Sequence, residues 1–457
     1  MMTISDKHNC CGCSACQQAC PKQCISMQQD AEGFLYPQVD TSSCIDCGLC
    51  EKVCPFLHPY ESRTPIHSYA AINNDEQVRM ESSSGGIFTL LAEQVINDGG
   101  VVFGARFDKN WQVTLDHTET IDGLAAFRGS KYVQACVGDT YAKCSKFLKA
   151  GRKVMYSGTP CQIAGLKHYL RKEYDNLLTV DFVCHGVPSP KVWEKYLHEL
   201  VETVNLQGVL MRDKQHEGWK RFNFVLDYKK EGKMISLSSW HQKNDYMNAF
   251  LRDMILRPSC YACKAKECRS HSDITIADFW GIQSIRPAMD DDKGTGLVLI
   301  HTAKGKGYVP FDKMKYNEVT FEEGYRNNSA IYRSAKPWPR RTEFFRQLDN
   351  EDGVVELIRK SLRPTAKMCL KSFTKKLLTY PIRIVRKAIF IMGEGKTEIT
   401  QRNIHKENLN VVAIPVAILR TYMISSIKFR DKQKGWSQYS ITIEMQKNEN
   451  SIIKLKI

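Results

Sequence analysis

The sequence predicts a multidomain chain: a small α+β module at the N-terminus, an α/β domain with a mixed sheet after it, and a basic C-terminal extension. Three observations carry that expectation. Cysteines within the first 60 residues recur at a fixed spacing, strand and helix signals alternate from His67 to about Ile300, and positive charge gathers near the C-terminus. A chain of 457 residues has room for about three domains. Its hydrophobic content of 42% is ample for large cores.

The N-terminal module is the most specific part. Cys10-x-x-Cys13-x-x-Cys16-x-x-x-Cys20-Pro21 recurs as Cys44-x-x-Cys47-x-x-Cys50-x-x-x-Cys54-Pro55. This is the spacing of bacterial two-cluster ferredoxins, in which the fourth cysteine of each run ligates the other cluster. It assigns Cys10, Cys13, Cys16 and Cys54 to one 4Fe-4S cluster, and Cys44, Cys47, Cys50 and Cys20 to the second. Thiolates two residues apart wrap a loop around one cubane, a short helix presents the fourth cysteine to the neighbouring cluster, and the next residue, a proline without an N–H, turns the chain back. Zinc sites favour paired C-x-x-C units with four ligands per ion, and disulfides fit badly with an intracellular chain of this size. Ile25-Ser26-Met27 and Phe34-Leu35-Tyr36 flank Asp30-Ala31-Glu32-Gly33 and predict a hairpin. The module covers residues 1–60, and a polar linker with Pro59 and Pro65 follows.

The α/β domain is predicted from strands at Ser68–Ile72, Val101–Phe107, Lys153–Tyr156 and Leu177–Val183, and helices at Gly85–Ile96, Asp139–Leu148, Cys161–Leu170 and Pro190–Leu200. Strands separated by helices of this length favour a partly parallel sheet. Residues 205–240 are richer in strand signals and read as an antiparallel insertion or edge.

A second cysteine set lies here. Cys161 follows one predicted strand and Cys184 ends the next, and open α/β sheets bind ligands beyond the carboxyl ends of their strands. Cys260 and Cys263 form a C-x-x-C pair. These four suffice for a third cluster, with Cys268 as a fifth candidate. The competing reading makes Cys161 and Cys184 small buried hydrophobes. Cys11, Cys24, Cys136, Cys144 and Cys369 lack ligand spacing and read as packing residues. Ser82-Ser83-Ser84-Gly85-Gly86 precedes a helix, where hydroxyls and unpaired N–H groups suit phosphate, although serine is also an ordinary N-cap. Arg128-Gly129-Ser130-Lys131-Tyr132-Val133-Gln134 offers a second polar loop with a cation and an aromatic ring.

The formal net charge is +15, and from Leu357 to Met392 the chain carries ten Lys or Arg and no acid. Interleaved apolar residues make residues 357–392 a candidate for contact with an anionic membrane surface, an acidic partner or a polyanionic substrate; a solvated helical face is the bland alternative. No binding module accompanies the charge, which argues against nucleic acid. The segment from Val411 to Ile427 contains Pro415 and Arg420 and reads as buried rather than membrane-spanning. The N-terminus enters cluster ligands without a signal segment. The expected location is cytoplasmic, with the basic run allowing peripheral contact at the inner membrane face.

In order along the chain, Ser82–Gly86, Arg128–Gln134, Ser157–Leu166 (SGTPCQIAGL), Asp181–Pro188 (DFVCHGVP) and Cys260–Gly281 (CYACKAKECRSHSDITIADFWG) resemble the beta subunit family of coenzyme F-420-reducing hydrogenases and dehydrogenases. That family includes F-420-dependent formate dehydrogenase subunits and 7-hydroxymethyl chlorophyll a reductase. The resemblance covers about residues 5–305. It implies an FAD domain in two parts, 66–140 and 141–305, with the tail at 330–457 outside it. By motif, Ser83, Ser84, Gly85 and Gly86 would hold the FAD phosphates, Ser130, Lys131 and Tyr132 would line the flavin, and Cys161, Cys184, Cys260 and Cys263 would ligate a proximal 4Fe-4S cluster. Lys131 and His185 become catalytic candidates, with a satisfied structural histidine as the other reading of His185, and Asp278 and Trp280 should pack near the cofactor. The implied activity is an FAD- and iron-sulfur-dependent oxidoreductase. Electrons would pass from reduced ferredoxin or another redox protein through clusters to FAD, which exchanges hydride with coenzyme F-420 or another small or lipid-linked substrate. Its rivals are an electron-transfer subunit without a substrate of its own and a zinc-stapled scaffold.

Overall fold

The computed structural model describes residues 4–350 and 353–364, and four short strands beyond residue 426. The chain divides into two units, Met1–Pro364 and Thr365–Ile457. In the second, Ile427–Asp431 pairs with Gly435–Tyr439, and Thr442–Gln446 with Ile452–Lys456, both antiparallel. Most of the basic run, from residue 365 to 392, lies outside the described residues, as does nearly all of the apolar segment after Val411. Among the described residues no helix is long and apolar enough to cross a membrane.

The first unit begins with the predicted hairpin, β1 (Ile25–Gln29) against β2 (Leu35–Val39). Short helices α1 (Ala15–Ala19) and α2 (Leu49–Lys52) lie inside the two cysteine runs. Each follows a residue in the left-handed region, Ser14 at φ 60° and Gly48 at φ 68°, which turns the cysteine loop into its helix.

The remaining strands of the first unit are β3 (His67–Asn73), β4 (Val101–Phe107), β5 (Val113–Thr118), β6 (Val154–Gly158), β7 (Leu177–Phe182), β8 (Leu206–Asp213), β9 (Asn223–Lys230), β10 (Lys233–Trp240), β11 (Ile274–Asp278), β12 (Gly296–Ile300) and β13 (Met314–Glu318). Eight form one sheet in the order β13-β3-β12-β11-β7-β6-β4-β5. Its centre, β4-β6-β7-β11, is parallel, and the outer pairings are antiparallel. The sheet is therefore mixed, as expected. β8, β9 and β10 form a separate antiparallel meander in the region read as strand-rich.

Helices α3 (Glu76–Glu81), α4 (Ile87–Asn97), α5 (Thr140–Lys149), α6 (Pro160–Leu170), α7 (Pro190–Leu200) and α8 (Asp245–Leu251) accompany the strands. Strand side chains alternate between faces, and here both faces are covered. Val101, Phe103, Val154 and Tyr156 pack with Tyr141 and Cys144 of α5 and Ile163 and Leu166 of α6. Their neighbours Val102 and Met155 face Leu90, Leu91 and Val95 of α4. A third core gathers around the fully buried Trp193 of α7, which touches the rings of Phe224 and Tyr246 and donates Nε1–H to Trp111 O at 2.7 Å. Helices Arg341–Gln347 and Val354–Leu362 add Phe344, Leu357 and Ile358 to that core. The compact unit thus extends past residue 330, because the apolar face of these helices packs instead of facing solvent.

The hairpin turn docks on the start of α7. Ser189 Oγ donates to Glu32 O at 2.5 Å, Lys191 Nζ to Ala31 O at 3.1 Å, and Arg341 binds the Glu32 carboxylate with both Nη atoms at 2.9 and 2.5 Å. Gly33 sits at φ 89°, and a Cβ there would lie 2.3 Å from Lys191 Cβ and 2.9 Å from Lys191 N. Gly33→Ala therefore meets both a left-handed backbone and a backbone clash. We expect a loss of about 2 kcal/mol, measured by urea unfolding followed through tryptophan fluorescence. An unchanged midpoint would show that the turn does not bear on the docking.

Candidate functional site

The capping box of α6 fixes the first thiol of the interior set. Thr159 N donates to Gln162 Oε1 at 2.9 Å, Pro160 begins the helix, and Cys161 lies in its first turn. Cys184 leaves the end of β7. The chain then returns through Ser189 N to Ile255 O and Arg257 N to Val187 O, both 2.9 Å, which brings the short turn Pro258–Ala262 alongside. As a result Cys161, Cys184, Cys260 and Cys263 line one cavity. Cys11 and Cys268 border the same cavity.

The thiols of this set are hard to ionise. Burial pushes Cys184 up to about 12 and raises Cys260 and Cys263, while Lys266 acts against the shift at Cys184 and Cys263. Cys161 is the exception, lowered to about 7 chiefly by hydrogen bonding from Cys11. Burial also lifts Cys268 to about 12, beside Asp181 and Arg63. Coordination to a metal centre reverses such shifts, since the bound thiol is deprotonated outright. Among the described residues no group of three or more His, Cys, Asp and Glu side chains closes around a single-ion position.

The two N-terminal sets are each brought together. Cys20, Cys44, Cys47 and Cys50 line a second cavity, and Cys47 is exposed. Cys10, Cys13, Cys16 and Cys54 lie close enough that Cys16 and Cys54 both feel the charges of Cys10 and Cys13, after the larger effect of burial. Cys20 thus stands with the second run and Cys54 with the first.

Three cysteines read as packing residues behave differently. Cys11 contacts Cys13 and Cys161, between two of the sets. Cys24 Sγ is 3.4 Å from Cys20 Sγ and lines the second cavity. Cys136 is exposed. Cys144 is buried in the core as expected, and Cys369 lies outside the described residues. Spacing missed Cys11 and Cys24 because ligand motifs are written along the chain, whereas these thiols approach the sets through space.

The two polar loops meet. Ser130 donates its backbone N–H and its hydroxyl to Ser83 Oγ at 2.7 and 2.8 Å. Gly86, at φ 80°, caps the N-terminus of α4, so the helix starts two residues later than its sequence signal. A Cβ on Gly85 would lie 2.4 Å from Ala71 O and 2.6 Å from Gly296 N, so only glycine fits between β3 and β12. Ser84 Oγ donates to Thr295 O, and Lys214 Nζ donates to Ser84 O at 2.7 Å and Lys293 O at 2.5 Å. Lys131 Nζ donates to Arg128 O at 2.9 Å and Gly129 O at 3.1 Å. Burial, reinforced by Arg106 at Lys131 and by Arg79 and Arg212 at Lys214, lowers both ammonium groups to about 7. Both are bonded to carbonyl oxygens.

Tyr132 connects this region to the interior cysteines. Its ring stacks on Phe250 at 4.6 Å, and the His185 ring meets the same Phe250 edge-on at 5.2 Å. His185 borders the interior cavity, and its Nε2 lies 2.6 Å from Asp253 Oδ1. Arg212 acts on Tyr132 and pairs with Asp278 at 2.5 and 3.0 Å, while Trp219 Nε1 donates to Asp278 at 2.7 Å and stacks on Trp280 at 4.6 Å. Asp278 and Trp280 are thereby joined to the Tyr132 loop. Arg212, Lys214 and Phe250 carried no sequence signal of their own; they stand on a strand, a loop and a helix without a motif.

Residues 9–57 match the family described as 4Fe-4S dicluster domain. Residues 151–322 match the family described as the C terminus of the coenzyme F420 hydrogenase/dehydrogenase beta subunit. No curated protein matches the chain. Among solved structures, the F420-reducing [NiFe] hydrogenase complex from Methanosarcina barkeri, studied by xenon derivatization, is similar at 16% identity and a TM-score of 0.38, over 68% of this chain and 92% of that one. An N-terminal segment similar to 4Fe-4S dicluster domains thus precedes a segment, residues 151–322, similar to the C terminus of coenzyme F420 hydrogenase/dehydrogenase beta subunits.

Proposed function

We propose that the chain is an iron-sulfur flavoprotein oxidoreductase that relays single electrons from a ferredoxin-type donor to FAD. The observation that carries the reading is the convergence of Cys161, Cys184, Cys260 and Cys263 on one cavity that also touches the N-terminal thiols through Cys11. Two clusters in the N-terminal module and a third in the interior cavity make a continuous path. When bound, FAD supplies the conversion between one-electron and two-electron chemistry, with coenzyme F-420 or another small or lipid-linked molecule as the partner substrate.

The residues present suit FAD. Ser83, Ser130, the start of α4 and the carbonyl-bound Lys214 gather hydroxyls, N–H groups and positive charge, as a diphosphate requires, and Lys131 on the Ser130 loop adds a second cation. Gly85 and Gly86 let the backbone approach closely. Tyr132 and Phe250 offer flat apolar surface between that anion site and His185. His185, held through Nε2 by Asp253, is placed to hold or pass a proton at Nδ1.

The exposed Cys47 makes the second N-terminal set the entry point for a redox protein. A second reading, an electron-transfer subunit without its own substrate, draws on the family description, which names a subunit. The isolated chain oxidising or reducing a small molecule with viologen dye favours the first reading; activity only inside a complex favours the second.

Anaerobic purification with iron, sulfide and flavin counts tests the proposal directly. Three clusters give about twelve irons per chain, with one FAD; colourless protein that releases neither sulfide nor flavin would end the reading. Cys184→Ser should lose about four irons and keep those of the N-terminal module, whereas full retention would remove Cys184 from the ligand set. Lys131→Ala should weaken FAD binding about tenfold at pH 7 while cluster content stays intact. The sign of its pH dependence follows from the lowered ammonium, near 7. The cation is the form that attracts an anion, and the empty site loses it as pH rises. Wild-type affinity for FAD should therefore fall between pH 7 and 9, and the Ala variant should show a shallower fall. Parallel pH profiles would count against the role of Lys131.

A further inference from the structure

Arg257 is fully buried, and it stands between the two cysteine sets that meet in the interior. Nε donates to Cys10 O at 2.8 Å, Nη1 to Gln134 Oε1 at 3.0 Å, and Nη2 to Leu35 O at 2.9 Å; Nη2 is also 3.6 Å from Cys10 Sγ. The same side chain lines the cavity of Cys161, Cys184, Cys260 and Cys263. Its backbone is fixed by Arg257 N to Val187 O and Cys260 N to Arg257 O, both 2.9 Å. A Cβ on Gly12, inside the first cysteine run and at φ 71°, would lie 2.9 Å from both Arg257 Nη1 and Gln134 Nε2.

None of these partners carries a carboxylate. Asp30 and Glu32, which act on Tyr36 alongside Arg257, are already paired with Lys7 and Arg341. A guanidinium is charged at any working pH, and burying a charge without an opposite charge is strongly unfavourable. Tyr36, whose ring lies 4.2 Å from the guanidinium carbon, gives partial compensation through its π face. The remaining counter-charge must come from the cysteine sets. A thiolate-bound cubane is anionic and becomes more so on reduction, and net charge and hydrogen bonds to sulfur set its potential.

On the reading that these sets hold 4Fe-4S clusters, we infer that Arg257 is the shared counter-charge of the Cys10/Cys13/Cys16/Cys54 cluster and the Cys161/Cys184/Cys260/Cys263 cluster, raising the reduction potential of both. The cluster of Cys20, Cys44, Cys47 and Cys50 lacks this cation, so electrons arriving at the exposed end are drawn inward. Arg257 is a positioning residue for electron flow and takes no part in bond making. Lys266, bonded to Cys184 O at 2.6 Å, borders the interior set alone and cannot replace it on the first.

The test is an anaerobic redox titration of the full, cluster-loaded chain, followed by electron paramagnetic resonance, with Arg257→Gln and Arg257→Lys beside the wild type. Gln removes the charge and Lys keeps it, while both lose the fork of hydrogen bonds. In the Gln variant two couples should move to more negative potential by at least a tenfold change in the reduction equilibrium, 59 mV for one electron. The third couple should stay, and Lys should shift the two by less than half as much. Unchanged potentials in the Gln variant at full iron content, or equal shifts in both variants, would overturn the inference. Loss of iron in Gln with retention in Lys supports it, because the charge is then what holds the clusters; equal loss in both overturns it, leaving only a structural fork. Wild-type chain lacking iron and sulfide would instead overturn the cluster reading beneath it.

Discussion

Parallel pairing at the centre of the large sheet is the constraint on which the interior cysteine chemistry depends. β6 and β7 run side by side with Gly158 opposite Asp181, and β11 continues the same direction with Ile276 opposite Phe182. Strands that end together deliver their following residues to one edge. Cys161 and Cys184 reach a common cavity for that reason. A register slip of one residue would reverse which face each side chain meets, and the buried polar pairs oppose it. Thr179 donates both N–H and Oγ–H to Asp273, at 2.9 and 2.8 Å, and Thr275 donates to Asp181 at 2.5 Å. Burial raises Asp181, while hydrogen bonds from the side chains of Ser270, Thr275 and Ser272 act against the rise. The register that places the thiols is therefore locked by side chains that take no part in the cysteine sets.

Charge balance follows from that placement. The interior thiols are half-buried, and most resist ionisation. Arg257, Lys131 and Lys214 donate to neutral groups inside the same unit. A protein interior with reluctant anions and uncompensated cations is poorly balanced on its own. Anionic clusters and a diphosphate, as proposed above, complete the balance at both ends: the guanidinium beside the thiols, and Lys214 beside Ser84 with Lys131 on the Ser130 loop. The same polar groups that are expensive in the empty protein then become binding energy.

The sequence was most legible where geometry is written along the chain. The two Cys-Pro runs, the hairpin, β4 and α7 can be read with correct bounds or nearly so, because metal-ligand spacing and hydrophobic period are local properties. β5, β11, β12 and β13 left weaker marks. β12 (Gly-Leu-Val-Leu-Ile) is a continuous apolar run buried on both faces, and such a run does not distinguish strand from buried helix. β13 exposes four of its five residues, and only pairing with β3 makes it a strand. At the site, Cys161 and Cys184 were marked by strand ends, whereas Cys11, Arg257 and Phe250 owe their positions to tertiary contacts across more than a hundred residues. The helices after residue 330 were hidden by the charge around them. Their apolar stripe, including Val354, Leu357 and Ile358, became informative only once the Trp193 core was present to receive it.

Phe250 joins two regions distant in sequence. It lies on α8, which is tied to the Ser130–Tyr132 loop by Tyr246 Oη–H to Tyr132 O at 2.7 Å. Tyr132 stacks on its ring, and the His185 ring meets it nearly at a right angle. The other end of α8 leads directly to Asp253, the partner of His185, and then to the chain that carries Arg257, Cys260 and Cys263. A single helix thus sets the spacing between the polar loops and the interior thiols. Packed aromatic rings, rather than a loop alone, connect the two regions, and the proposed one-electron relay would benefit from such rigidity. The antiparallel meander that covers α8, through Phe224 and Leu226, belongs to the same argument: it holds the helix that holds the distance.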